Sequence, residues 1–288
     1  MATATQRRPT ASSPTQPTKR LSLSDAIAGS KHLPSRVVFH GQGGIGKTTW
    51  AAQAPAPFFL LSPGETGLHT LIDAGLLSDV PNLEVHDWES VLGIVDELTT
   101  KETPYQTLVV DVIDGIEKLA CQHVCDTDYQ GDWSERGFMG YQRGYSAMAA
   151  GPWRGLLASL DKLREVRRMA IILLAHTGVG NFANPNGADY SRFLPDMHKS
   201  AWQLTYGWAD IVLFGDRDII VEKERKNDAK GKATGGSIRT MHTEYDAAFD
   251  AKNRHNLAPE IDMGESGKEA WTNFIAAIKA GRNGNGKE

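Results

Sequence analysis

Residues 41–48 read Gly-Gln-Gly-Gly-Ile-Gly-Lys-Thr, and this segment restricts the fold of the 288-residue chain more than any other. It matches the pattern G-x-x-x-x-G-K-[S/T] and follows the apolar stretch 36–40. Glycines let successive backbone N–H groups turn toward one concavity, which suits phosphate oxygens. Such a loop joins a buried strand to a helix. The segment therefore predicts a P-loop, and the alternative is a glycine-rich turn that binds nothing.

The residue types of this loop predict ATP and Mg²⁺ as its ligands. Lys47 is expected to reach the β- and γ-phosphates, and Thr48 to place its hydroxyl on the metal. Thr49 is a candidate for contact with the α-phosphate. The predicted nucleotide-binding residues are Gly41, Gln42, Gly43, Gly44, Ile45, Gly46, Lys47, Thr48 and Thr49.

A second metal residue is predicted at the end of the apolar run 108–110, where Asp111 stands. Magnesium in such sites uses a carboxylate at the carboxyl end of a neighbouring strand. We therefore assign Asp111, together with Thr48, to the metal. The alternative is that Asp111 caps the following helix, but Asp114, directly before Gly115, suits that capping role better.

Short apolar runs alternate with helical patterns along the chain. This alternation predicts an α/β fold with a mainly parallel, twisted sheet flanked by helices. Late strands at 211–214, 219–222 and 237–242 have little helix between them. We therefore expect an antiparallel extension at one edge of the sheet.

The two chain ends differ in composition from the part between them. Residues 1–20 are rich in Thr, Ser, Pro, Gln and Ala, and residues 280–288 in Gly, Asn and Lys. Such compositions predict disordered tails, because they offer little apolar surface to bury. The ATPase domain is then expected to span 21–279.

Charge and cysteine content predict the cellular setting. The net charge is −4, so contact with nucleic acid would require a local basic patch. Two cysteines and the lack of a long apolar run predict a cytoplasmic protein with no membrane partner.

Four further segments give the chain a likeness to a known family: 60–68, 172–177, 178–208 and 249–254. With the P-loop, they make residues 35–262 resemble the bacteriophage RecA-like P-loop ATPases, which act in single-strand annealing and recombination. The resemblance implies a RecA-like fold and Mg²⁺-dependent ATP hydrolysis stimulated by single-stranded DNA. It also implies a role in phage recombination, annealing or replication in the bacterial host cytoplasm.

The resemblance extends the catalytic set beyond Lys47. Glu65 follows the second core strand, where the family places a Glu that polarises the attacking water and accepts its proton. His176 stands where the family has a polar γ-phosphate sensor, often Gln. Lys252 and Arg254 match a basic pair that reaches the ATP of a neighbouring subunit, which implies a homo-oligomer with ATP at its interfaces. The alternatives are an exposed loop Glu, a strand-end His bonded to backbone, and a solvated basic turn.

Three segments are candidates for contact with DNA. The segment 178–208 corresponds to the family's mobile DNA-binding loop, or it packs on the domain or a partner subunit. The hairpin 223–236 is a solvated tip or a phosphate-binding tongue. The segment 140–145 is a second DNA-facing loop or a helix entry. The side chains concerned are Phe182, Tyr190, Arg192, Phe193, His198 and Lys199 in the first segment and Lys223, Arg225, Lys226, Lys230 and Lys232 in the second.

Two other functions stay open at this point. A small-molecule kinase would need a lid with several arginines, and the segment after Asp111 offers Arg136 and Arg143 without a compact lid pattern. A switch or loader protein would bind ATP and turn it over slowly. A phage single-strand-binding protein is a further candidate partner.

Overall fold

Eleven strands are present among residues 23, 32–222 and 232–284, which the computed structural model describes. The chain divides into two units after His32, and the strands belong to the unit that begins at Leu33. The strands are β1 (Arg36–Gly41), β2 (Pro57–Leu61), β3 (Asn82–Glu84), β4 (Thr107–Asp111), β5 (Ala170–Ala175), β6 (Thr177–Phe182), β7 (Tyr190–Pro195), β8 (Ile211–Glu222), β9 (Lys232–His242), β10 (Lys252–Asn253) and β11 (Glu260–Asp262).

The strands form one mixed sheet and a separate hairpin. The main sheet has the order β3–β2–β4–β5–β1–β8–β9–β11, and β10 pairs with β8. Neighbours from β3 to β8 run parallel, whereas the pairs β8–β9, β9–β11 and β8–β10 are antiparallel. This arrangement confirms the predicted α/β class, with a mainly parallel sheet and an antiparallel extension at one edge.

The central strands are apolar because both of their faces are covered. All five residues of β4 are buried, and so are five of the six residues of β5. A strand buried on both faces reads as a continuous apolar run, without the alternation of a half-exposed strand. This explains the sequences Leu-Val-Val-Asp and Ile-Ile-Leu-Leu-Ala at these places.

Eight α-helices cover the sheet among the described residues. They are α1 (Lys47–Ala51), α2 (Gly67–Asp73), α3 (Trp88–Thr100), α4 (Ile113–Tyr129), α5 (Arg143–Met148), α6 (Arg154–Arg167), α7 (Lys199–Trp208) and α8 (Gly267–Gly284). One face of the sheet packs against α3, α4, α6 and α7, and the other against α1, α2 and α8. None of these helices combines the length and the apolar character needed to cross a membrane.

Several elements differ from the sequence-based expectation. β8 is one strand with an irregularity between Arg217 and Ile219, where two separate strands were expected. Helix α8 continues to Gly284, so residues 280–284 are helical and not part of a tail. The predicted N-terminal tail, residues 285–288 and the basic residues at 223–230 lie outside the described residues, as does the side chain of Lys232.

The segment 178–208 forms a hairpin and a helix in place of the mobile loop expected from the resemblance. Strands β6 and β7 pair antiparallel from Thr177 opposite Pro195 to Phe182 opposite Tyr190, and α7 follows. At the tip, the side-chain oxygen of Asn184 accepts a hydrogen bond from the backbone N–H of Asn186 (3.0 Å), which fixes the turn. The hairpin therefore begins directly at the carboxyl end of β5.

Candidate nucleotide-binding site

A cavity of about 470 Å³ opens at the carboxyl ends of β1, β2, β4 and β5. In open α/β sheets this edge is where ligands bind, and the volume is within the range of small-molecule sites. The predicted P-loop, Glu65, Asp111 and His176 all contribute to its wall. The lining residues are Gly43, Gly44, Gly46, Lys47, Thr48, Thr49, Glu65, Gly67, Thr70, Leu71, Asp111, Val112, His176 and Arg239.

The backbone of the loop explains why glycine is needed at particular positions. Gly46 has φ = 106°, a backbone conformation that is strained for residues with a side chain. A Cβ there would lie 2.8 Å from Arg239 Nη1. Gly41 passes so close to β8 that a Cβ would lie 2.6 Å from the carbonyl oxygen of Gly215. These close approaches explain why glycine stands at both positions.

Lys47 places its ammonium group at the mouth of this loop. Its Nζ donates to the carbonyl oxygens of Gly41 (2.8 Å) and Gln42 (3.2 Å). Burial lowers the pKa of Lys47, and the nearby carboxylates of Asp111, Asp114 and Glu65 oppose that effect. A phosphate would be a stronger partner for the ammonium than the two carbonyls, because both groups would be charged.

Thr48 and Asp111 form the pair expected for a magnesium ion. The hydroxyl of Thr48 donates to Asp111 Oδ2 at 2.9 Å. Burial raises the pKa of Asp111 to about 6, although the hydrogen bond from Thr48 opposes that effect. A hydroxyl and a carboxylate fit Mg²⁺, which takes few protein oxygens and completes its shell with phosphate oxygens and water. In the described part of the chain, no group of three or more His, Cys, Asp or Glu residues could hold a metal by itself.

Glu65 and His176 face each other across the cavity. Glu65 Oε2 lies 3.9 Å from His176 Nε2, and Glu65 Oε1 accepts the backbone N–H of Gly67 at 2.9 Å. The main cause that raises the pKa of His176 is its side-chain hydrogen bond with Asp114. The two residues that the resemblance implied for water activation and phosphate sensing therefore lie together at the carboxyl end of the sheet.

Asp114 does not cap helix α4 as expected, because it binds His176. The N-cap of α4 is Val112, and no side chain caps that end. Asp114 Oδ1 accepts the backbone N–H of His176 at 2.9 Å, and its Oδ2 lies 3.0 Å from His176 Nδ1. No local pattern predicts this contact, since the two residues are 62 positions apart.

Glu117, one turn further along α4, binds the residue at the start of α7, which follows the hairpin. Both of its carboxylate oxygens accept the backbone N–H of His198, each at 3.1 Å. Burial raises the pKa of Glu117 to about 7. Helix α4 therefore fixes the start of the hairpin through Asp114 and the start of α7 through Glu117.

A buried polar network links the P-loop strand to the same hairpin. His40, the residue before the loop, places Nδ1 3.0 Å from the hydroxyl of Thr177, and its Nε2 donates to the carbonyl oxygen of Asp250 at 2.7 Å. Burial lowers the pKa of His40 to about 4. The carboxylate of Asp250 accepts hydrogen bonds from Arg192 on β7 and Trp202 on α7, both at 2.7 Å.

Three of the six predicted DNA-contacting side chains are packed against the domain instead. Arg192 is only 5% exposed because it pairs with Asp250. Phe193 stacks on Phe214, and His198 stacks on Tyr145 with ring centroids 4.2 Å apart. The alternative that this segment packs on the domain is therefore correct for these three. The side chains of Phe182 and Lys199 are exposed, and Tyr190 is half-buried.

Lys252 and Arg254 lie away from the cavity of their own chain. Lys252 Nζ donates to the carbonyl oxygens of Tyr206 (2.5 Å) and Gly207 (3.1 Å) at the end of α7. Arg254 also donates to the carbonyl oxygen of Gly207, at 3.2 Å. Burial and the neighbouring Arg254 lower the pKa of Lys252 to about 8. Within one chain, neither residue is placed to touch a nucleotide in the P-loop.

Arg239, which the sequence did not single out, lines the cavity from β9. Its Nη1 donates to the carbonyl oxygen of Ile45 (3.3 Å), and its Nη2 donates to that of Gly264 (2.7 Å). Arg217 on β8 also braces the loop, because its Nη2 donates to the carbonyl oxygen of Gly44 at 2.9 Å. Only the strand pairing brings these arginines to the loop, so no local pattern could have found them.

A glycine loop after β1, a hydroxyl–carboxylate pair and a Glu–His pair at the carboxyl edge of the sheet define a P-loop nucleotide-binding site. Residues 33–255 match the family model described as the AAA domain, and the chain belongs to this family.

Comparison with solved structures finds distant likenesses. The RadB recombinase is 11% identical with a TM-score of 0.45, over 82% of this chain and 90% of that chain. The flagellar accessory protein FlaH from Methanocaldococcus jannaschii is 12% identical with a TM-score of 0.39, over 80% of this chain and 84% of that chain. No curated protein sequence matches the chain.

Proposed function

We propose that this protein hydrolyses ATP with Mg²⁺ and acts on single-stranded DNA in phage recombination, annealing or replication. One observation carries the proposal. His176 faces Glu65 in the nucleotide cavity, and the next residue, Thr177, begins the hairpin β6–β7. A change at the γ-phosphate therefore has a short covalent path to the hairpin.

The chain's own residues divide the work of hydrolysis. Lys47 holds the β- and γ-phosphates, and Glu65 orients the attacking water and accepts its proton. His176 donates a hydrogen bond to a γ-phosphate oxygen. Thr48 and Asp111 would hold Mg²⁺, which when bound would neutralise charge on the phosphates.

The contacts at the start of the hairpin would depend on whether the γ-phosphate is present. His176 is held by Asp114, and Thr177 is held by His40 of the P-loop strand. When the γ-phosphate leaves, His176 loses one partner and retains Asp114. The start of β6 then has a different set of contacts, which is the condition for a ligand to bias a conformation.

Aromatic residues in the hairpin and beside it form the proposed surface for DNA. Tyr141 is 97% exposed and has φ = 50°, an uncommon conformation for a bulky residue. Its neighbour Gln142 contacts His198 at the base of α7, with Oε1 3.3 Å from Nε2. Phe182 and Tyr190 pair across the hairpin with ring centroids 5.2 Å apart. Bases of a single strand stack on such rings, and Lys199 is placed to meet a phosphate.

The basic pair is proposed to act between subunits. Lys252 and Arg254 flank an open cavity of about 570 Å³ that includes Tyr206 and Asn256. A phosphate from the ATP of a neighbouring copy would raise the pKa of Lys252, which burial lowers. ATP would then lie at the interfaces of a homo-oligomer. A phage single-strand-binding protein is a further proposed partner, and the cytoplasm is the proposed location.

The test is ATP hydrolysis by the full chain, with and without single-stranded DNA, across a salt series. We expect DNA to increase the rate and the increase to fade with salt, because phosphate contacts release counterions. Tyr141→Ala should weaken DNA binding about tenfold, the loss of one stacked base, and leave the DNA-free rate unchanged. Val166→Ala, at an exposed position of α6, is the matched control. A rate of ATP hydrolysis that single-stranded DNA does not change at any salt concentration would contradict the proposal.

A second candidate is a nucleotide-dependent switch or loader protein with slow turnover. The packing of Arg192, Phe193 and His198 against the domain favours it, because these side chains are not free to meet DNA. Absence of turnover in the wild type, with ATP binding retained, would decide for this candidate.

A further inference from the structure

A groove of about 540 Å³ lies at the amino ends of β1, β4 and β5, on the face of the sheet that α8 covers. It shares no lining residue with the nucleotide cavity, which opens at the opposite, carboxyl ends of the same strands. The groove is therefore a separate site. Its residues include Val37, Thr107, Ala170, Ile172, Phe274 and Ile278.

The groove exists because the first helix is short. Helix α1 has 5 residues and rises only about 7.5 Å. The adjacent strand β1 has 6 residues and spans about 20 Å. The amino-terminal part of this face is consequently left to α8, which crosses it and leaves apolar surface open beside it.

The floor of the groove is apolar. Val37, Ile172 and Phe274 are almost fully buried at its base. Trp271 and Ile275, on the same side of α8, are half-buried and form part of the wall. The volume suits a few large apolar side chains from a bound segment.

The rim of the groove is basic. The cationic lining residues come from the carboxyl-terminal ends of two helices: Arg167 at the end of α6 with Arg168 after it, and Lys279 and Arg282 near the end of α8. The described lining residues include no Asp or Glu. An apolar floor with a cationic rim is complementary to a segment that carries both large apolar and acidic side chains.

We infer that this groove binds an acidic segment of a partner protein, anchored by one or two large apolar side chains. The chain's own residues 1–31 have the wrong charge for this role. They contain Arg7, Arg8, Lys19, Arg20 and Lys31 against the single acid Asp25. The inference is independent of the proposed ATPase function, because the groove lies at the other end of the sheet.

The test uses the full chain and three short fluorescent peptides, followed by anisotropy at several salt concentrations. The first peptide has several Asp and Glu residues and two Leu or Phe residues. The second replaces its acids by Lys, and the third replaces its apolar residues by Ser. We expect only the first to bind, with an affinity that falls as salt rises.

Charge reversal on α8 locates the binding. Lys279→Glu with Arg282→Glu should weaken binding of the acidic peptide at least about tenfold, because two attractions become repulsions. Lys118→Glu with Lys268→Glu is the matched control, since both lysines are exposed, lie outside the groove and carry the same charge. ATP hydrolysis should be unchanged in both double variants.

Four results would overturn the inference. They are failure of the acidic peptide to bind, equal binding of the basic peptide, equal loss in the control variant, and binding that survives reversal of Lys279 and Arg282. If the reversal instead dissociates an oligomer in sedimentation velocity, a second copy of the chain occupies the groove. If it removes hydrogen-exchange protection within residues 1–31, the chain's own segment occupies it. Either result also rules out the partner proposed here.

Discussion

The nucleotide cavity and the hairpin beside it are built in different ways. The part of the cavity expected to hold the phosphates is one continuous segment, in which Gly43, Gly44 and Gly46 line the wall together with Lys47, Thr48 and Thr49. The hairpin is held by side chains from distant parts of the chain, including Asp114, Glu117 and Asp250. A backbone site can be predicted from a motif, whereas a site held by long-range pairs becomes visible only in the fold.

The largest expected effect tests Glu65 as the base. Glu65→Gln should lower turnover about 10²–10⁴-fold and leave ATP affinity nearly unchanged, since the amide cannot accept the proton. Glu84→Gln is the control, because Glu84 binds the same loop through the backbone N–H of Gly64 (2.9 Å) and does not line the cavity. Steady-state hydrolysis and nucleotide titration measure the two effects. Unchanged turnover in an active protein would remove Glu65 from the mechanism.

Lys47→Ala should reduce affinity for ATP about 100-fold, because one charge-assisted contact with two phosphates is lost. Fluorescence titration with a labelled nucleotide in the presence of Mg²⁺ measures it. Lys101→Ala is the control, since Lys101 forms only a surface pair with Glu97 (2.9 Å). Equal affinities of the wild type and Lys47→Ala would mean that the motif does not hold the phosphates.

Much of the fold was predictable because it depends on local patterns. The apolar runs of β1, β4 and β5 and the helical spacing of α3 and α6 gave elements close to their observed bounds. The early end of α1 was also predictable, because Pro55 and Pro57 follow it. The pairing of β6 with β7 was not predictable, because a hairpin closes according to what packs against it, and that information is non-local.

The same distinction divides the candidate site. Lys47, Thr48, Asp111, Glu65 and His176 could be proposed because each follows a recognisable strand or motif, and the structure places all of them around one cavity. Asp114 was given a capping role because its sequence neighbours suggested one. Its partner, 62 positions away, is specified by the pairing of β4 with β5 and not by its neighbours.

Substitution of Arg239 tests whether a side chain distant in sequence also contributes to nucleotide binding at the P-loop. Arg239 Nη1 donates to the carbonyl oxygen of Ile45 and lies beside Gly46, and Arg239 lines the cavity together with Thr49, the residue expected to meet the α-phosphate. Arg239→Ala should weaken ADP binding about tenfold through the loss of a charged contact. Inorganic tripolyphosphate, which has no nucleoside, should be affected less.

The control for Arg239 is Arg217→Ala, which removes another brace of the loop from outside the cavity. It should change the binding of ADP and tripolyphosphate equally or not at all. If Arg239→Ala also affects both ligands equally, Arg239 only braces the loop and does not contact the nucleotide.

The smallest effect concerns the contact between Asp114 and His176. This contact raises the pKa of His176, so it stabilises the folded protein most when His176 is protonated. The contribution is fully present below the unfolded pKa of about 6.5 and is lost as pH rises through the higher folded pKa. Asp114→Asn should therefore lower stability more at pH 6 than at pH 9, and NMR titration should show a lower pKa for His176. An unchanged titration would mean that Asp114 does not set the charge of His176.

Coupling between the nucleotide cavity and the hairpin is proposed to run through His176. The direct measurement is the affinity of the full chain for single-stranded DNA with a non-hydrolysable ATP analogue and with ADP, in the wild type and in His176→Ala. Linkage predicts that the DNA affinities measured with the ATP analogue and with ADP differ by about fivefold or more in the wild type and do not differ in His176→Ala. Equal DNA affinities with both nucleotides in the wild type, or an undiminished difference in His176→Ala, would contradict it.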